Sequence, residues 1–220
     1  VEYKYFIITN GFGWYTFTLS TMQLQSFDIS AAVDDILQPN LVRFTNNIQR
    51  LNDSTILVAT FKNVFRCVFY KTALLSAVPL LPVTNQFQNQ VNCFLYSADK
   101  TLWTGTSTGV LYRLDKNHHE TTYQIPGNYI VRTIAEDALH NIWVGTDKGL
   151  CIYTQQGKFL KEITSENGLL NDCIYSLLPL NDNSSVFAST NYGLSYISLQ
   201  DTVKNYSNEL GLPNLEFNTA

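Results

Sequence analysis

The sequence contains few charged residues. Lys and Arg account for 14 of its 220 residues and Asp and Glu for 18, which gives a charged fraction of 15% and a net charge of -4. Soluble domains average about 25% charged residues, and a chain whose main role is to bind nucleic acid carries a basic surface. The composition therefore argues against a nucleic-acid partner. A hydrophobic fraction of 45% and an aromatic fraction of 13% exclude a disordered chain.

Long apolar runs are also missing. The longest, residues 73–83, is interrupted by Ser76, Pro79 and Pro82 and is shorter than the roughly 20 residues that span a bilayer. Residues 1–9 read as a strand and lack the charged, apolar and small-residue segments of a signal peptide. We expect the chain to begin inside a longer protein, so the missing signal carries no information about its compartment.

The four cysteines do not form a metal or redox motif. Cys67, Cys93, Cys151 and Cys173 stand singly in apolar runs, without CxxC spacing. Such cysteines behave as small hydrophobic residues, so buried free thiols are expected, with a disulfide as the alternative.

Catalytic motifs are missing as well. The sequence has no GxSxG, P-loop or GxGxxG pattern. His118, His119 and Glu120 are adjacent in the chain and lack the i, i+4 helical spacing that brings two ligands onto one metal. We interpret them as a solvated turn. No enzyme activity, metal or cofactor is expected.

What the sequence does contain is a repeat. Leu102–Thr106 (LWTGT) and Ile142–Thr146 (IWVGT) are each followed by a glycine and an apolar run that ends in tyrosine. Val186–Thr190 (VFAST) keeps the apolar positions, the threonine and the glycine that follows, but loses the tryptophan. Weaker copies occur at Ile56–Thr60 and Tyr5–Thr9. The five copies are 40 to 51 residues apart, which is the length of a four-stranded propeller blade.

Each copy predicts a meander of four antiparallel strands separated by polar turns. Aspartates recur four to six residues before the tryptophan position, at Asp53, Asp99, Asp137 and Asp182. A catalytic acid would be needed only once, whereas aspartate is a common turn former, so these residues are interpreted as turn formers.

The tryptophan and glycine of the WxGT pattern predict how the blades pack. A glycine inside a strand often marks the close approach of another chain segment, and here we expect the next blade to approach Gly105 and Gly145. Trp103 and Trp143 are interpreted as packing between blades, with stacking on a ligand as the alternative.

The predicted fold is therefore an all-β β-propeller segment of about five four-stranded antiparallel blades, within a larger propeller array. The 220 residues form one propeller segment whose blade-like units lie at residues 1–46, 47–90, 91–129, 130–172 and 173–220.

Two stretches, residues 142–153 and 165–177, resemble the two-component regulator propeller repeat. Residues 208–218 resemble its GL segment again, 43 residues later. The resemblance is strong over residues 91–218 and weak over the first 90. It implies the sensor region of a Bacteroides-type hybrid two-component system with a histidine kinase. Such a region is the periplasmic part of an inner-membrane protein that forms a homodimer, detects an oligosaccharide and controls polysaccharide utilisation.

The resemblance also implies a ligand site around the central opening, on the face where each outer strand returns to the next inner strand. Residues there carry amide, cationic, carboxylate and phenol side chains, which hydrogen-bond to sugar hydroxyls and stack on sugar rings. The alternative is that they cap backbone groups in loops and at strand ends. The predicted ligand-binding residues are Asn92, Asn128, Tyr129, Arg132, Asn171, Asp172 and Tyr175.

Three functional hypotheses follow. The first is a ligand-sensing module that binds an oligosaccharide, and the second is an architectural and dimerisation module without a ligand of its own. The third is a propeller lyase or glycosidase, which would need a convergent acid and base set that the sequence does not display.

Overall fold

The computed structural model describes residues 4–9, 13–27, 45–60, 62–70, 73–81, 91–181 and 184–207, together with Gly211 and Glu216. Within these ranges it contains 19 β-strands and two short 3₁₀ turns. The chain divides into two compact units, Val1–Val91 and Asn92–Ala220. In the part of the chain described, no helix has the length and apolarity needed to cross a bilayer.

The first unit contains two antiparallel sheets, of three and four described strands. By the sequence repeat, the first described strand takes the place of a WxGT strand, so the first sheet has the second, third and fourth strands of a blade. The prediction of four strands per blade is therefore not met by the described residues of this sheet. The strands are β1 (Lys4–Thr9), β2 (Gly13–Thr18), β3 (Gln23–Ser26), β4 (Thr45–Asn52), β5 (Thr55–Thr60), β6 (Val64–Tyr70) and β7 (Ala73–Pro79).

Aromatic rings form the core of the first unit. The ring of Trp14 on β2 stacks on those of Phe27 and Phe69, with centroid distances of 6.5 and 6.4 Å. Val58 and Phe65, from β5 and β6, complete the same buried cluster. The two sheets of this unit are thus joined by packed apolar side chains.

The second unit contains three sheets of four sequential antiparallel strands, which confirms the predicted meander. We call them the third, fourth and fifth sheets. Strand β12 lies close to both β9 and β16, which is the arrangement expected if the first strand of a meander is its inner strand. The strands are β8 (Val91–Tyr96), β9 (Leu102–Thr106), β10 (Val110–Leu114), β11 (Glu120–Gln124), β12 (Val131–Glu136), β13 (Ile142–Thr146), β14 (Gly149–Tyr153), β15 (Phe159–Ile163), β16 (Ser176–Pro179), β17 (Ser185–Thr190), β18 (Gly193–Ser198) and β19 (Val203–Tyr206).

The turn before the WxGT strand has the same geometry in the third and fourth sheets. Its first residue donates its N–H to the carbonyl of the fifth residue, at 2.9 Å from Ser97 and 3.0 Å from Asp137. Its fourth residue is left-handed, with φ of 69° at Lys100 and 65° at His140. The repeat in sequence is therefore also a repeat in backbone conformation.

The four recurring aspartates have different partners. Asp99 accepts a hydrogen bond from a backbone N–H of its own turn at 3.0 Å, and Asp137 accepts two, at 2.8 and 2.9 Å. The turn-former interpretation is confirmed for these two residues. Asp53 pairs with the exposed Arg50 side chain, and Asp182 lies outside the described residues.

The two tryptophans of the WxGT strands are completely buried between neighbouring sheets. Trp103 is 0% exposed and packs in a cluster with Val131 and Ile134 of the fourth sheet. Trp143 is also 0% exposed and packs with Ile174 and with Val186 of the fifth sheet. The prediction of packing between blades is confirmed for both residues.

The glycine of each WxGT strand lies beneath a side chain from the following repeat. A Cβ atom on Gly105 would come within 2.2 Å of Val131 Cγ1, and one on Gly145 within 2.7 Å of Ile174 Cγ2, as well as within 2.6 Å of Thr133 Cγ2 of its own sheet. Real Cβ contacts are never this short, so only glycine leaves enough space for the neighbouring side chain. The predicted close approach is confirmed.

The Asp137 carboxylate joins the fourth and fifth sheets. Its Oδ2 atom accepts a hydrogen bond from Trp143 Nε1 at 2.7 Å and another from the Ser184 hydroxyl, 47 residues away. Burial opposes ionisation of this carboxyl, but hydrogen bonds from Ser184, Trp143 and Asn141 outweigh burial and lower its pKa. Trp103 Nε1, by contrast, has no hydrogen-bond partner among the described residues.

The cysteines are free, as predicted. Burial raises the pKa of Cys67, Cys93 and Cys151 to about 12, so these thiols stay protonated at neutral pH. Cys173 is partly exposed and lies in the segment that leads into β16.

We expect Gly105→Ala and Gly145→Ala to destabilise the protein by about 1–3 kcal/mol each, because the added methyl overpacks the space between two sheets. Denaturant unfolding followed by tryptophan fluorescence measures the change. Ser189→Ala is the matched control, since Ser189 takes the Gly145 position in the fifth sheet and already carries a Cβ. Equal stability of all three variants would contradict the close packing.

We expect Asp137→Asn to cost about 1.5–3 kcal/mol at pH 7, the range for hydrogen bonds to a charged group. The pKa of Asp137 is lowered in the folded state, so its stabilisation is complete above the unfolded pKa of about 3.9 and is lost as the pH falls through the folded value. The stability gap between wild type and variant should therefore narrow at acidic pH in urea titrations. A stability difference that stays the same at every pH would show that the negative charge of Asp137 does not contribute to stability.

Candidate ligand-binding face

One edge of the second unit collects two kinds of connection. Because neighbouring strands are antiparallel, the turn between the second and third strands emerges at the same edge as the loop that leaves the fourth strand. The candidate face is defined here by the loops 125–130 and 164–175 and by the turns 107–109, 147–149 and 191–193.

The loop before β12 is a tight turn with an exposed amide. Pro126–Asn128 forms a 3₁₀ turn in which Gly127 and Asn128 have left-handed φ of 69° and 57°. A Cβ on Gly127 would lie 2.3 Å from the Tyr129 ring, so the ring covers the glycine. Asn128 is exposed and Tyr129 half-buried, which leaves the Asn128 amide accessible to solvent.

The loop before β16 uses its polar side chains to hold its own backbone. Asp172 accepts hydrogen bonds from the N–H and the hydroxyl of Ser165, at 2.6 and 3.0 Å. Asn171 Oδ1 accepts one from the Cys173 N–H at 3.0 Å. For Asn171 and Asp172 the structure thus supplies the backbone-capping role that the sequence left open.

Arg132 and Tyr175 come together across two sheets. The guanidinium carbon of Arg132, on β12, lies 5.1 Å from the centroid of the Tyr175 ring, which precedes β16. Both side chains are half-buried. A guanidinium over an aromatic ring at this distance makes a cation–π contact. The pair presents a planar cation and a phenol ring at the boundary between the fourth and fifth sheets.

Several neighbours modify this pair. A hydrogen bond with Cys173 is the largest influence on the Tyr175 phenol and raises its pKa, while the Arg132 charge and a hydrogen bond with Asn191 lower it.

Asn92, at the start of β8, donates to the Val131 carbonyl at 3.2 Å and so joins the third and fourth sheets.

Two buried polar atoms of this region have no hydrogen-bond partner among the described residues. They are Nε of Arg132, a donor, and Oδ1 of Asp147, an acceptor. The backbone N–H of Asp147 donates to the Ile130 carbonyl, next to β12, at 3.2 Å. A buried polar group left without a partner costs about 1–3 kcal/mol. The hydrogen-bonding capacity of both atoms is therefore unsatisfied within the described residues.

Sequence reasoning missed Asp147 and Asn191. Both occupy the turn that precedes the GL pair, where the third sheet has Ser107. One signal in the sequence could have indicated them: the residue at this turn position differs from copy to copy, being Ser107, Asp147 or Asn191. The sequence pattern alone did not indicate that this turn shares an edge with the loops before the inner strands.

The histidine cluster lies away from these loops, in the turn between β10 and β11. His118 is left-handed, with φ of 63°, and the largely exposed His119 ring lies 3.3 Å from Asp115. The described residues contain no group of three His, Cys, Asp or Glu side chains that could hold a metal ion.

The sheets of this chain define a β-propeller segment, the predicted fold class. Residues 124–148, which run from the end of β11 through β13, match the family model described as "Two component regulator propeller". The resemblance inferred from the WxGT and GL patterns is thereby confirmed at these residues. Curated protein sequences include no match to the chain.

Solved structures share the fold. The extracellular domain of BT3049 from B. thetaiotaomicron, assigned as a hybrid two component system, superimposes with a TM-score of 0.72 over 100% of this chain at 20% identity. The extracellular domain of BT4673 from the same organism gives a TM-score of 0.65 over 88% at 24% identity. This chain spans 29% and 26% of the length of those two domains.

An enzyme has the same fold. Virginiamycin B lyase from Staphylococcus aureus superimposes with a TM-score of 0.63 over 89% of this chain at 10% identity, and the match covers 62% of the lyase. At these levels of identity the comparisons establish the fold alone, so function has to be argued from the residues of the face.

Proposed function

We propose that this chain is a ligand-sensing module from the extracytoplasmic region of a hybrid two-component signalling protein. The match of residues 124–148 to the regulator propeller family supports the signalling class. Similarity to the extracellular domains of two B. thetaiotaomicron proteins assigned to one- or two-component systems supports the location. The proposal includes a periplasmic position in an inner-membrane histidine kinase that acts as a homodimer.

The proposed ligand is a neutral oligosaccharide bound at Arg132, Tyr175 and Asp147. The observation that carries this proposal is the pair of unpartnered buried atoms, Arg132 Nε and Asp147 Oδ1, in the same region as a guanidinium–phenol contact. A sugar hydroxyl both donates and accepts, so this class of ligand can pair with the donor of Arg132 and with the acceptor of Asp147. The apolar face of a sugar ring stacks on a phenol.

Asn128 and Tyr129 are proposed to extend the site, since they lie in the neighbouring loop and Asn128 is exposed. Asn92, Asn171 and Asp172 are proposed to contribute through the loop and sheet contacts that position the face. Their side chains are engaged by backbone or side-chain groups of the protein at 2.6 to 3.2 Å.

Signalling requires that the ligand bind two arrangements of the protein with different affinities, because a ligand without such a difference shifts no equilibrium. Arg132 belongs to the fourth sheet and Tyr175 precedes the first strand of the fifth. A ligand that contacts both side chains therefore favours one spacing of the two sheets. We propose that this spacing is transmitted to the dimer and controls expression of polysaccharide-utilisation functions.

The direct test is calorimetric titration of the protein with cello-, xylo-, malto- and manno-oligosaccharides. We expect one of these to bind, and Arg132→Ala and Tyr175→Ala each to weaken it at least tenfold, about 1.4 kcal/mol. Arg113→Ala is the matched control. The Arg113 guanidinium also lies over an aromatic ring, 5.7 Å from that of Trp103, but this pair belongs to the third sheet and not to the proposed site.

Two results would contradict the proposal. Unchanged affinity in Arg132→Ala and Tyr175→Ala would show that the ligand does not bind at these two residues. Absence of heat with every oligosaccharide, while induction of the parent system in cells stays intact, would favour the architectural and dimerisation role instead.

A further inference from the structure

The two faces of the fifth sheet differ in their exposure. On the face toward the fourth sheet, Val186, Ala188 and Ile197 are completely buried. On the opposite face Leu178 is 62% exposed. That face contains a groove of about 220 Å³ lined by Ser176, Leu178, Phe187, Ser189 and Leu194.

Strand register shows which residues of the fourth sheet correspond to those that line the groove. Phe187, Ser189 and Leu194 take the places that Trp143, Gly145 and Leu150 hold in the fourth sheet. Trp143 and Leu150 are 0% exposed, because residues ahead of the fifth sheet cover them. The groove is therefore the fifth sheet's copy of a surface that is completely covered one repeat earlier.

The covering segment of the fourth sheet is known in detail. Leu169 and Ile174 lie in the same buried cluster as Trp143 and Leu150. Ile174 Cγ2 and Cβ would lie 2.7 and 3.1 Å from a Cβ on Gly145. The segment is introduced by Gly168, a left-handed residue with φ of 120°.

The sequence repeats this segment 43 residues later. Gly168, Leu169 and Ile174 correspond to Gly211, Leu212 and Phe217. Gly211 is again left-handed, with φ of 88°. The turn that introduces the covering segment is thus present a second time, directly after the uncovered sheet.

We propose that residues 212–217 of this chain are the occupant of the groove, with the Phe217 ring in the place of Ile174. Residue sizes on the two sides are complementary. Ser189 stands where the fourth sheet has Gly145, so the covering segment is held farther from the strand, and the longer Phe217 side chain spans the added distance. Phe187, smaller than Trp143, leaves room for the larger covering residue.

Cysteine cross-linking tests this inference. Ser189→Cys combined with Phe217→Cys should form an intramolecular disulfide on mild oxidation, identified by mass spectrometry of the linked peptides. In the preceding repeat a Cβ on Gly145 would lie 3.1 Å from Ile174 Cβ. A segment held farther away by Ser189 should have a separation nearer the roughly 3.5–4.5 Å of disulfides. Ser189→Cys with Asn218→Cys is the control, because Tyr175, the counterpart of Asn218 in the preceding repeat, contacts Arg132, whereas Ile174 lies over Gly145. This control should cross-link at least fivefold less.

Unfolding of single variants provides a second readout that needs no disulfide. Phe217→Ala should lower the urea midpoint, Phe217→Leu should restore part of it, and Asn218→Ala should leave it unchanged. Disulfides formed between two chains would overturn the proposal in favour of a second copy in the groove. Equal cross-linking of both cysteine pairs, or a Phe217→Ala midpoint equal to wild type, would leave the groove without this occupant. None of these results depends on a sugar ligand, so they are independent of the proposed function.

Discussion

The second unit depends on one close contact: a side chain that enters each inner strand fills the space above a glycine in the preceding sheet. Val131 does this over Gly105, and Ile174 does it over Gly145. The contact brings neighbouring sheets close enough to bury Trp103 and Trp143 completely. An aromatic side chain of this size buries about 150–250 Å², worth about 4–6 kcal/mol at 25 cal/mol per Å² as an upper estimate. Both tryptophans thus need the glycines beside them.

Much of this arrangement could be predicted from the sequence, because the third and fourth sheets use the same tryptophan and glycine for the packing contact. In these two copies the WxGT strand, its glycine and the polar turn before it recur 40 residues apart, and the structure has all three where the repeat places them. Bonds between different copies could not be predicted. Asp137 and Ser184 are 47 residues apart, and no local pattern pairs them. Even the recurring aspartates differ, since Ser97 takes the Asp137 position in the third sheet.

Only part of the candidate site could be predicted from the sequence. Loops that enter inner strands were identified from the repeat, and two of their residues, Arg132 and Tyr175, do meet at 5.1 Å. Asp147 and Asn191 were missed because their turn reaches the same edge only through the folded meander. Asn171 and Asp172 carry the right chemistry for a sugar, yet their oxygens accept hydrogen bonds from their own loop. The proposed site lies where two sheets meet, so a ligand bound there would contact side chains on both sides of that boundary.

A double-mutant cycle at Gly105 and Val131 tests the central contact most directly. The account predicts that Gly105→Ala costs less in a Val131→Ala background than in the wild type, because removal of Val131 Cγ1 relieves the closest approach, at 2.2 Å, and leaves that of Val131 Cβ, at 2.7 Å. The expected coupling free energy is about 1 kcal/mol or more. Strictly additive free energies of unfolding would mean that no side chain of the fourth sheet occupies the space above Gly105, and would contradict the account.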